Sequence, residues 1–411
     1  MKKICFIEPP YEAFMEQLDA PFPLLYLAAI AEQQGWTAEI LDMQTPDDPI
    51  PQADVYAVTA TSPQWPQTIQ LSQRLAEEFP DQRTVVGGNH ISCEPHDYAT
   101  TQFDLAVLGE GERALQQILA HPTAYHGIIH GEPIHNLDTI PFPARHLIDW
   151  TQYKRGIYWG NDLLAPAVSI ISSRGCPFNC CYCGSHVIFG RGTRFRSAEN
   201  VVEELRQVIA ELGYRGFNFH DDTFCLNRNR VLRLCAAFTQ LDIVWRCLSR
   251  VDTVDEDLLI AMANAGCKEL ILGVESGSQR ILNKLQKGTT VKQNLTAMQL
   301  TKQAGIQLKV GIIVGSPGET WDTVAETKRL LQACPPDFWN VSVFTPFPGT
   351  AVWKNPQRYG IRILTKDLSQ YAMVGKDFRG NVVVETEELN KSDIEHARDE
   401  LIDLLQVIAP Q

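Results

Sequence analysis

The sequence predicts an α/β protein with two parallel sheets. The first is an N-terminal doubly wound sheet, and the second is a partial (β/α)6 barrel followed by a short helical C-terminal segment. Short apolar runs alternate with helical patterns along most of the 411 residues, an arrangement typical of parallel βα units. In the second half of the chain, polar or glycine-rich residues follow each strand directly, as on the working face of a parallel barrel.

Composition limits the class of protein. With 44% apolar and 21% charged residues, the chain can bury the cores of two domains. A net charge of -13 argues against nonspecific binding to nucleic acid or to an anionic membrane surface. Eleven cysteines, most of them scattered, fit a reducing compartment, so we expect a cytoplasmic protein. Only four apolar residues lie between Lys3 and Glu8, and no apolar run approaches membrane length, so we expect neither a signal peptide nor a membrane span.

Changes in the pattern divide the chain into four segments. Residues 1–130 form the first α/β domain, residues 131–165 a proline-rich connector with little regular structure, residues 166–350 the barrel, and residues 351–411 the C-terminal segment. Strands of the first domain are predicted at residues 3–7, 38–42, 54–61, 84–86 and 105–108, and helices at 23–34 and 66–79.

The barrel pattern repeats on a regular schedule. Its strands are predicted at residues 167–171, 216–219, 244–248, 269–273, 308–314 and 339–344. Helices are predicted between them, and Ser197 is expected to cap the first, at residues 198–212. An amphipathic helix at residues 391–407 is expected to pack on the barrel or to close its open side.

Three cysteines with C-x3-C-x2-C spacing, Cys176, Cys180 and Cys183, follow the first barrel strand in a loop opened by Gly175 and Pro177. Three thiolates in one loop suit an iron–sulfur cluster whose fourth iron takes its ligand from elsewhere. A zinc site remains an alternative, with Cys181 or His186 as the fourth ligand, although adjacent cysteines point apart. A disulfide is disfavoured in a reducing compartment.

The cysteine loop resembles the motif of the radical SAM superfamily, and Arg174, Pro177, Asn179, Tyr182 and Gly184 match its usual surroundings. The resemblance implies a 4Fe–4S cluster held by the three cysteines, which are then both metal ligands and catalytic residues. It also implies that S-adenosylmethionine (SAM) chelates the open iron. One electron from the cluster would cleave SAM to methionine and a 5′-deoxyadenosyl radical.

The same resemblance assigns SAM-binding roles to residues that follow barrel strands. Asp222 is expected to accept from the methionine ammonium, and Glu275 from the ribose hydroxyls with help from Ser276. Arg250 is expected to reach the SAM carboxylate or ribose, and Gly315 to supply close backbone along SAM. A solvated loop carboxylate or a surface salt bridge is the competing role for the charged residues.

The N-terminal domain resembles the cobalamin-binding domain that precedes many radical SAM barrels. Its Pro9-Pro10, Pro23-Leu24, Gly87-Gly88 and Gly109-Glu110-Gly111-Glu112 segments fall where that family has them. Thr59 to Ser62 occupies the place of the family's serine-containing turn. The resemblance implies cobalamin contacts from Thr59, Thr61, Gly87, Gly88 and Glu110. Glycine there would let the backbone lie close to the nucleotide tail.

One departure from that family concerns the cobalt ligand. The D-x-H-x-x-G sequence that supplies a histidine is absent, because residues 11–17 contain no histidine. Cobalamin, if bound, is therefore expected without a histidine from this position. Trp65 is a candidate cap for the cobalt face, with simple packing as the alternative. A domain that keeps the fold without the cofactor is the other alternative.

The architecture implies an enzyme, most commonly one that transfers a methyl group to an unactivated carbon. The short C-terminal segment favours a small-molecule substrate, and the electron is expected from a donor such as flavodoxin or ferredoxin. The first alternative is radical chemistry without methyl transfer, such as cyclisation, ring contraction or dehydration. Methylthio transfer to tRNA is disfavoured, because Cys5 and Cys93 lack the spacing of a second cluster and the tail is acidic. A non-catalytic cluster or corrinoid carrier is the remaining alternative.

Overall fold

The computed structural model describes residues 2–11, 20–153, 156–372 and 379–409 and confirms the predicted α/β class. Its N-terminal sheet has six parallel strands in the order β2-β1-β3-β4-β5-β6. These strands are β1 (Lys3–Glu8), β2 (Thr37–Asp42), β3 (Val55–Thr59), β4 (Arg83–Gly87), β5 (Leu105–Leu108) and β6 (Gly127–His130). The helices of this domain are α1 (Phe22–Gln33), α2 (Trp65–Glu78), α3 (Asn89–Cys93) and α4 (Glu112–Ala120).

Alternate residues of each central strand enter different cores. Ile4 and Phe6 of β1 pack with α1 and α4, whereas Cys5 and Ile7 pack on the other face beside α2. A parallel sheet buried on both faces explains why its strands read as continuous apolar runs. The five predicted strands are present, and β6 was not predicted. This edge strand is short and half-exposed, and Ile128 is 42% exposed, so it lacks that apolar pattern.

Helix α1 lies between the two halves of the molecule. Leu24 and Ala28 pack on the N-terminal sheet, while Phe22, Leu25 and Tyr26 belong to the core of the barrel. A helix with two buried faces is apolar almost all round, which distinguishes it from an ordinary surface helix. Helix α1 therefore contributes to the hydrophobic cores of both halves.

The second sheet is a partial barrel of six parallel strands with one antiparallel strand at its edge, in the order β15-β14-β13-β12-β11-β8-β7. All six predicted barrel strands are present. The strands of the barrel and its loops are β7 (Gly156–Trp159), β8 (Asp162–Ile170), β9 (Ser173–Arg174), β10 (Arg194–Phe195), β11 (Gly216–Phe219), β12 (Val244–Arg250), β13 (Cys267–Glu275), β14 (Gln307–Val314) and β15 (Phe338–Val343).

Strand β7 lies in the connector, which was predicted to have little regular structure. It pairs with β8 across the two-residue turn Gly160-Asn161, and Gly160 has a φ of 55°. Tyr158, Trp159 and Leu163 are more than 40% exposed, so this hairpin lacks the alternation that reveals a half-buried strand.

Helices follow or connect the barrel strands, and the first of them lies in the loop after the motif cysteines. They are α5 (Ser185–Phe189), α6 (Ala198–Leu212), α7 (Arg228–Phe238), α8 (Glu256–Asn264), α9 (Gln279–Lys284), α10 (Val291–Gln303), α11 (Trp321–Ala333), α12 (Ala351–Lys354) and α13 (Lys391–Ile408). Ser197 caps α6 as predicted, since its side chain accepts from the Asn200 amide. Gly213, with a φ of 73°, ends that helix in the left-handed conformation that favours glycine.

The C-terminal segment closes one side of the barrel. Helix α13 packs against the edge strand β15 and against α11, as predicted. The Trp339 indole nitrogen donates to the Ala409 carbonyl oxygen at 3.0 Å. A small antiparallel pair precedes the helix, β16 (Ile361–Ile363) with β17 (Val384–Thr386), and these three-residue strands were not predicted. Within the described ranges, no helix combines the length and apolar character needed to cross a membrane.

Two positions of α13 test its packing. Leu401 is 1% exposed and Val407 is 80% exposed. We expect Leu401→Ala to lower the free energy of unfolding by about 2–5 kcal/mol, because it removes buried methyl groups and leaves a cavity. The matched Val407→Ala should change it by less than about 0.5 kcal/mol. Urea titration followed by circular dichroism measures both, and equal effects would contradict the observed packing.

Candidate active site

A cavity of about 1120 Å³ lies between the carboxyl edge of the N-terminal sheet and the cysteine loop. Strand order reverses between β1 and β3, and parallel sheets bind ligands beyond their carboxyl edge at such a switch point. Both halves of the molecule line the cavity. Seven of the predicted site residues line it: Thr59, Thr61, Gly87, Gly88, Glu110, Cys183 and Asp222.

The cysteine loop holds its three motif cysteines half-buried and reduced. The Cys183 amide donates to the Cys180 carbonyl oxygen at 3.2 Å, and the Cys176 Sγ lies 3.8 Å from the Thr223 Oγ1. Gly175 has a φ of 87°, and a Cβ there would lie 2.5 Å from the Gly192 carbonyl oxygen. This position therefore requires glycine.

Cys181 faces away from the other three cysteines. It is 1% exposed, its Sγ lies 3.7 Å from the Lys284 carbonyl oxygen, and its amide donates to the Leu285 carbonyl oxygen. Adjacent side chains thus serve different purposes: Cys180 belongs to the motif, whereas Cys181 anchors the loop to the chain after α9. The fourth zinc ligand considered for Cys181 does not form.

The donor set fits an iron–sulfur cluster. Burial, with smaller contributions from the neighbouring Asp222, Cys180 and Cys176, raises the pKa of the Cys183 thiol to about 11. Thiols in such surroundings ionise when a metal supplies the compensating charge. Within the described residues, no three His, Cys, Asp or Glu side chains converge on a single metal ion. A cluster that takes one thiolate for each iron does not need that convergence.

Two consecutive aspartates follow β11 and have different surroundings. Asp221 is 2% exposed and accepts from the Ser172 amide at 2.7 Å and from the Ser172 and Ser173 hydroxyls. Asp222 instead lines the cavity and accepts from the Ser185 hydroxyl at 2.7 Å. Burial, and then the Asp221 charge, raise the pKa of Asp222. A partly desolvated carboxylate on the cavity wall is suited to an ammonium group.

Glu275 joins the end of β13 to the cysteine loop. Its Oε1 accepts from the Lys287 ammonium at 2.7 Å and from the Tyr182 hydroxyl at 3.1 Å. Among the described residues, Oε2 has no hydrogen-bond partner, which leaves an acceptor for a ligand. Glu275 also has a φ of 61°, a conformation that non-glycine residues adopt mostly where surrounding contacts enforce it. Lys287 was not predicted, because nothing in its local sequence shows which carboxylate it would meet.

Arg250 contacts the loop more closely than predicted. Its guanidinium donates to both carboxylate oxygens of Asp252 and to the Lys287 carbonyl oxygen at 2.7 Å. The Cys180 Sγ lies 3.7 Å from the Arg250 Nη1, and the Phe178 ring centroid lies 3.5 Å from its Cζ. The residue is thus placed to neutralise a thiolate. Its predicted contact with SAM stays a prediction.

Ser276 and Gly315 lie away from the cavity wall. The Ser276 side chain is fully buried, 3.2 Å from the Thr327 hydroxyl, and it accepts from the Ser278 amide. Gly315 has a φ of 79° and lies beside Ile394 of α13, while its amide donates to Glu319 at 2.5 Å. Burial raises the pKa of Glu319 to about 7. Both predicted residues therefore hold turns in this structure, and their SAM contacts remain predictions.

Glu110 takes part in an ion cluster that joins the two halves of the chain. Arg174, at the start of the cysteine loop, donates to Glu110 at 2.9 Å and to Glu112 at 2.5 Å. Arg194 donates to both carboxylate oxygens of Glu110. All four side chains are at least four-fifths buried. The Glu110 carboxylate is paired with arginines and the residue lines the cavity, and its predicted contact with cobalamin stays a prediction.

Gly87 and Gly88, at the end of β4, have different surroundings. A Cβ on Gly88 would lie 2.6 Å from the Thr59 Oγ1 and 2.8 Å from the Ala60 amide, so Gly88 allows β3 and β4 to approach. A Cβ on Gly87 would meet no other protein atom closer than 3.7 Å, although Gly87 lines the cavity. Packing within the protein therefore does not require glycine at position 87, which is consistent with a glycine that makes room for a cofactor tail in the cavity.

The loop after β3 is held by one glutamine. The Gln64 side chain accepts from Thr61 and donates to Glu8 and to the Pro9 carbonyl oxygen, each of the two donated bonds at 2.8 Å. Burial raises the pKa of Glu8 to about 7. These two residues lie at the switch point and line the cavity. Sequence reasoning missed both, since their contact spans more than 50 positions.

His90 and Trp65 lie beneath the cavity in the core. The His90 ring contacts the Ser62 hydroxyl and the Asp97 carboxylate at 3.0 Å each, and its centroid lies 4.3 Å from that of Trp65. Trp65 is 3% exposed. The cap proposed for Trp65 is therefore not formed. Among the described residues that line the cavity there is no histidine.

Comparisons with known proteins agree with this geometry. Residues 170–331 match the Radical SAM superfamily, and residues 19–119 match the B12 binding domain. An uncharacterised methyltransferase of Pyrococcus horikoshii is 30% identical over 393 residues, which span 86% of this chain and 82% of the relative. The anaerobic magnesium-protoporphyrin IX monomethyl ester cyclase of Rubrivivax gelatinosus is 27% identical over 412 residues, which span 90% of this chain and 72% of that protein.

A solved structure shows the same fold from end to end. The radical S-adenosylmethionine methyltransferase TsrM from Kitasatospora setae, solved with cobalamin and a 4Fe–4S cluster bound, aligns with a TM-score of 0.72 at 17% sequence identity. The alignment covers 100% of this chain and 92% of TsrM. With both domains matched in one chain, this protein belongs to the family of cobalamin-dependent radical SAM methyltransferases, whose domains bind an iron–sulfur cluster, SAM and cobalamin.

Proposed function

We propose that this enzyme methylates an unactivated carbon of a small molecule. The observation that carries the proposal is the shared cavity, in which cobalamin-type residues such as Gly87 and radical SAM residues such as Cys183 and Asp222 line one space. When bound, the cluster and one SAM would supply a hydrogen-abstracting radical, and cobalamin would pass on a methyl group taken from a second SAM, which leaves as S-adenosylhomocysteine. The protein contributes binding, orientation and exclusion of water.

The barrel side of the site has residues suited to SAM. We assign the methionine ammonium of SAM to Asp222, and the ribose hydroxyls to the open Oε2 of Glu275. Lys287 and Tyr182 hold the other oxygen of Glu275, and this fixes the direction in which Oε2 points. Arg250 lies against Cys180, where its charge stabilises the thiolate and any anionic group of SAM.

The cobalt atom is proposed to bind without a protein histidine. The absence of the D-x-H-x-x-G sequence and of a histidine among the described lining residues supports this assignment. The lower face would then meet another residue, water or nothing. Gln64 lies at the switch point, and its side-chain oxygen and nitrogen both form hydrogen bonds within the protein. We therefore do not assign Gln64 as a cobalt ligand.

The remaining partners follow from the chemistry. A reductant of the flavodoxin or ferredoxin class would supply the electron, and the cytoplasmic location stays a prediction from the reduced cysteines. The similarity to a cyclase supports a second candidate, a radical transformation without methyl transfer. The two candidates differ in the products that they form from SAM.

Anaerobic reconstitution with iron, sulfide and hydroxocobalamin tests the proposal. After addition of SAM and a strong reductant, we expect retained corrinoid, S-adenosylhomocysteine and 5′-deoxyadenosine. Absorption spectroscopy measures the first, and mass spectrometry measures the others. Deoxyadenosine without S-adenosylhomocysteine would favour the second candidate. A chain that binds zinc and cleaves no SAM would refute both.

Adjacent cysteines provide a matched pair for the cluster. We expect Cys180→Ala to remove most cluster iron and to abolish SAM cleavage, because only two motif thiolates remain. Cys181→Ala should keep both, since the Cys181 thiol faces the Lys284 carbonyl oxygen. Iron and sulfide analysis with the 400 nm region of the absorption spectrum gives the measurement. Retention of a full cluster by Cys180→Ala would contradict the assignment.

Asp222→Asn tests the proposed ammonium contact. Loss of a charged acceptor should weaken SAM binding about tenfold while leaving the iron content unchanged. The exposed Asp257, on α8, provides the control Asp257→Asn, which should bind SAM like the wild type. Titration of SAM against the EPR signal of the reduced cluster measures the affinity. Equal affinity in both variants would remove Asp222 from the site.

A further inference from the structure

Two arginines lie opposite each other on the short antiparallel pair of strands at the two ends of the cysteine loop. Arg174 of β9 and Arg194 of β10 are register partners in an antiparallel pair. Like charges directly opposite on paired strands destabilise the pairing. This strand pair therefore needs acidic groups nearby to offset the two positive charges. Its own strands, Ser173-Arg174 and Arg194-Phe195, contain none.

The acidic groups come from the other half of the molecule. Glu110 and Glu112 flank Gly111 at the carboxyl edge of the N-terminal sheet, where Glu110 lies in the turn after β5 and Glu112 is the first residue of α4. Glu110 accepts from both arginines, and Glu112 accepts from Arg174. Arg194 also donates to the Ile134 carbonyl oxygen at 2.6 Å, so the connector joins the same cluster.

The cluster lies between the places assigned to the two cofactors. Glu110 and Glu112 line the cavity on the side of the N-terminal sheet. Arg174 lies two positions before Cys176, and Ser172 and Ser173 before it are bonded to Asp221. A rigid path therefore runs from the sheet edge through these ion pairs to the first motif cysteine. The ion pairs also exclude water, since the Glu110 side chain is 2% exposed.

We propose that Glu110 and Glu112 are positioning residues that set the separation of the cluster from the corrin by holding Arg174 and Arg194. This inference requires both cofactors to bind, and it does not depend on which carbon is methylated. The paired glutamates would thus serve the geometry of the reaction through the arginines that they hold. Transfer of a methyl group between two cofactors depends strongly on their distance, and a misplacement of about 1 Å can cost about 100-fold in rate.

EPR spectroscopy of the two paramagnetic cofactors tests the proposal directly. In the fully loaded chain, the reduced cluster should broaden the EPR signal of cob(II)alamin, and the sample with the oxidised, diamagnetic cluster gives the reference. We expect Glu110→Gln and Glu112→Gln to change this broadening while iron and corrin contents stay at the wild-type level. The control is Glu132→Gln, which removes a carboxylate that pairs with Arg113 on the exposed surface and should leave the broadening unchanged.

Product analysis gives a second readout. In the glutamine variants, release of S-adenosylhomocysteine should fall by up to about 100-fold, whereas abortive formation of 5′-deoxyadenosine, which needs only the cluster and SAM, should persist. Glu110→Asp keeps the charge and shortens the side chain by one methylene, so it should fold and show an intermediate broadening. Arg174→Lys should resemble the glutamine variants, because an ammonium cannot bridge two carboxylates as a guanidinium does.

The outcomes separate positioning from general stabilisation. If the glutamine variants unfold at lower temperature but keep the wild-type broadening and product ratio, the ion cluster only stabilises the domain interface and the proposal is wrong. The same conclusion holds if Glu132→Gln has the same effect as Glu110→Gln. If the wild type binds both cofactors yet releases no S-adenosylhomocysteine, the proposed methylation fails, and the broadening alone still decides the positioning role.

Discussion

The buried ion cluster of Glu110, Glu112, Arg174 and Arg194 is the constraint on which the active site depends. A buried charge that loses its partner typically costs about 3–5 kcal/mol, so neither half of the chain tolerates separation at this point. The cluster also gives the interface a single register, because planar guanidinium groups meet carboxylates in a fixed geometry. Apolar packing of α1 on both domains adds buried area to the interface, and the ion pairs fix the orientation of the groups that meet there.

The cysteine loop is held by contacts at several points along its length. Arg174 anchors its beginning, the Cys181 amide bonds to the chain after α9, and Tyr182 reaches Glu275 at the end of β13. Arg250 lies against Cys180 from β12. A loop fixed from several strands keeps its thiolates in place without regular secondary structure. This explains why a short, irregular segment can serve as the most demanding part of the site.

Much of the fold could be read from local patterns. Parallel strands buried on both faces form apolar runs, and this revealed all six barrel strands and five of the six N-terminal strands. The missed strands, β6, β7, the two-residue pair β9–β10 and the pair β16–β17, are short or exposed, so neither apolar runs nor alternation marks them. For the site, the family resemblance assigned roles to residues directly after strands, and the structure places Asp222 on the cavity wall and Glu275 beside the cysteine loop, because strand ends converge on one edge. The same rule included Ser276 and Gly315. Only tertiary packing decides whether a residue after a strand faces the cavity, and these two lie away from it.

The sequence by itself determined the order of the elements, the three motif cysteines and the absence of a cobalt-ligating histidine motif, because spacing and strand periodicity are local properties. Only the tertiary structure decided that Glu110 pairs with arginines 64 and 84 positions away, that Lys287 meets Glu275, and that Gln64 bonds to Glu8. These partners are far apart in the chain, and their meeting depends on how two sheets and a shared helix pack. Charge alone, read along the chain, does not say which opposite charge will be buried beside it.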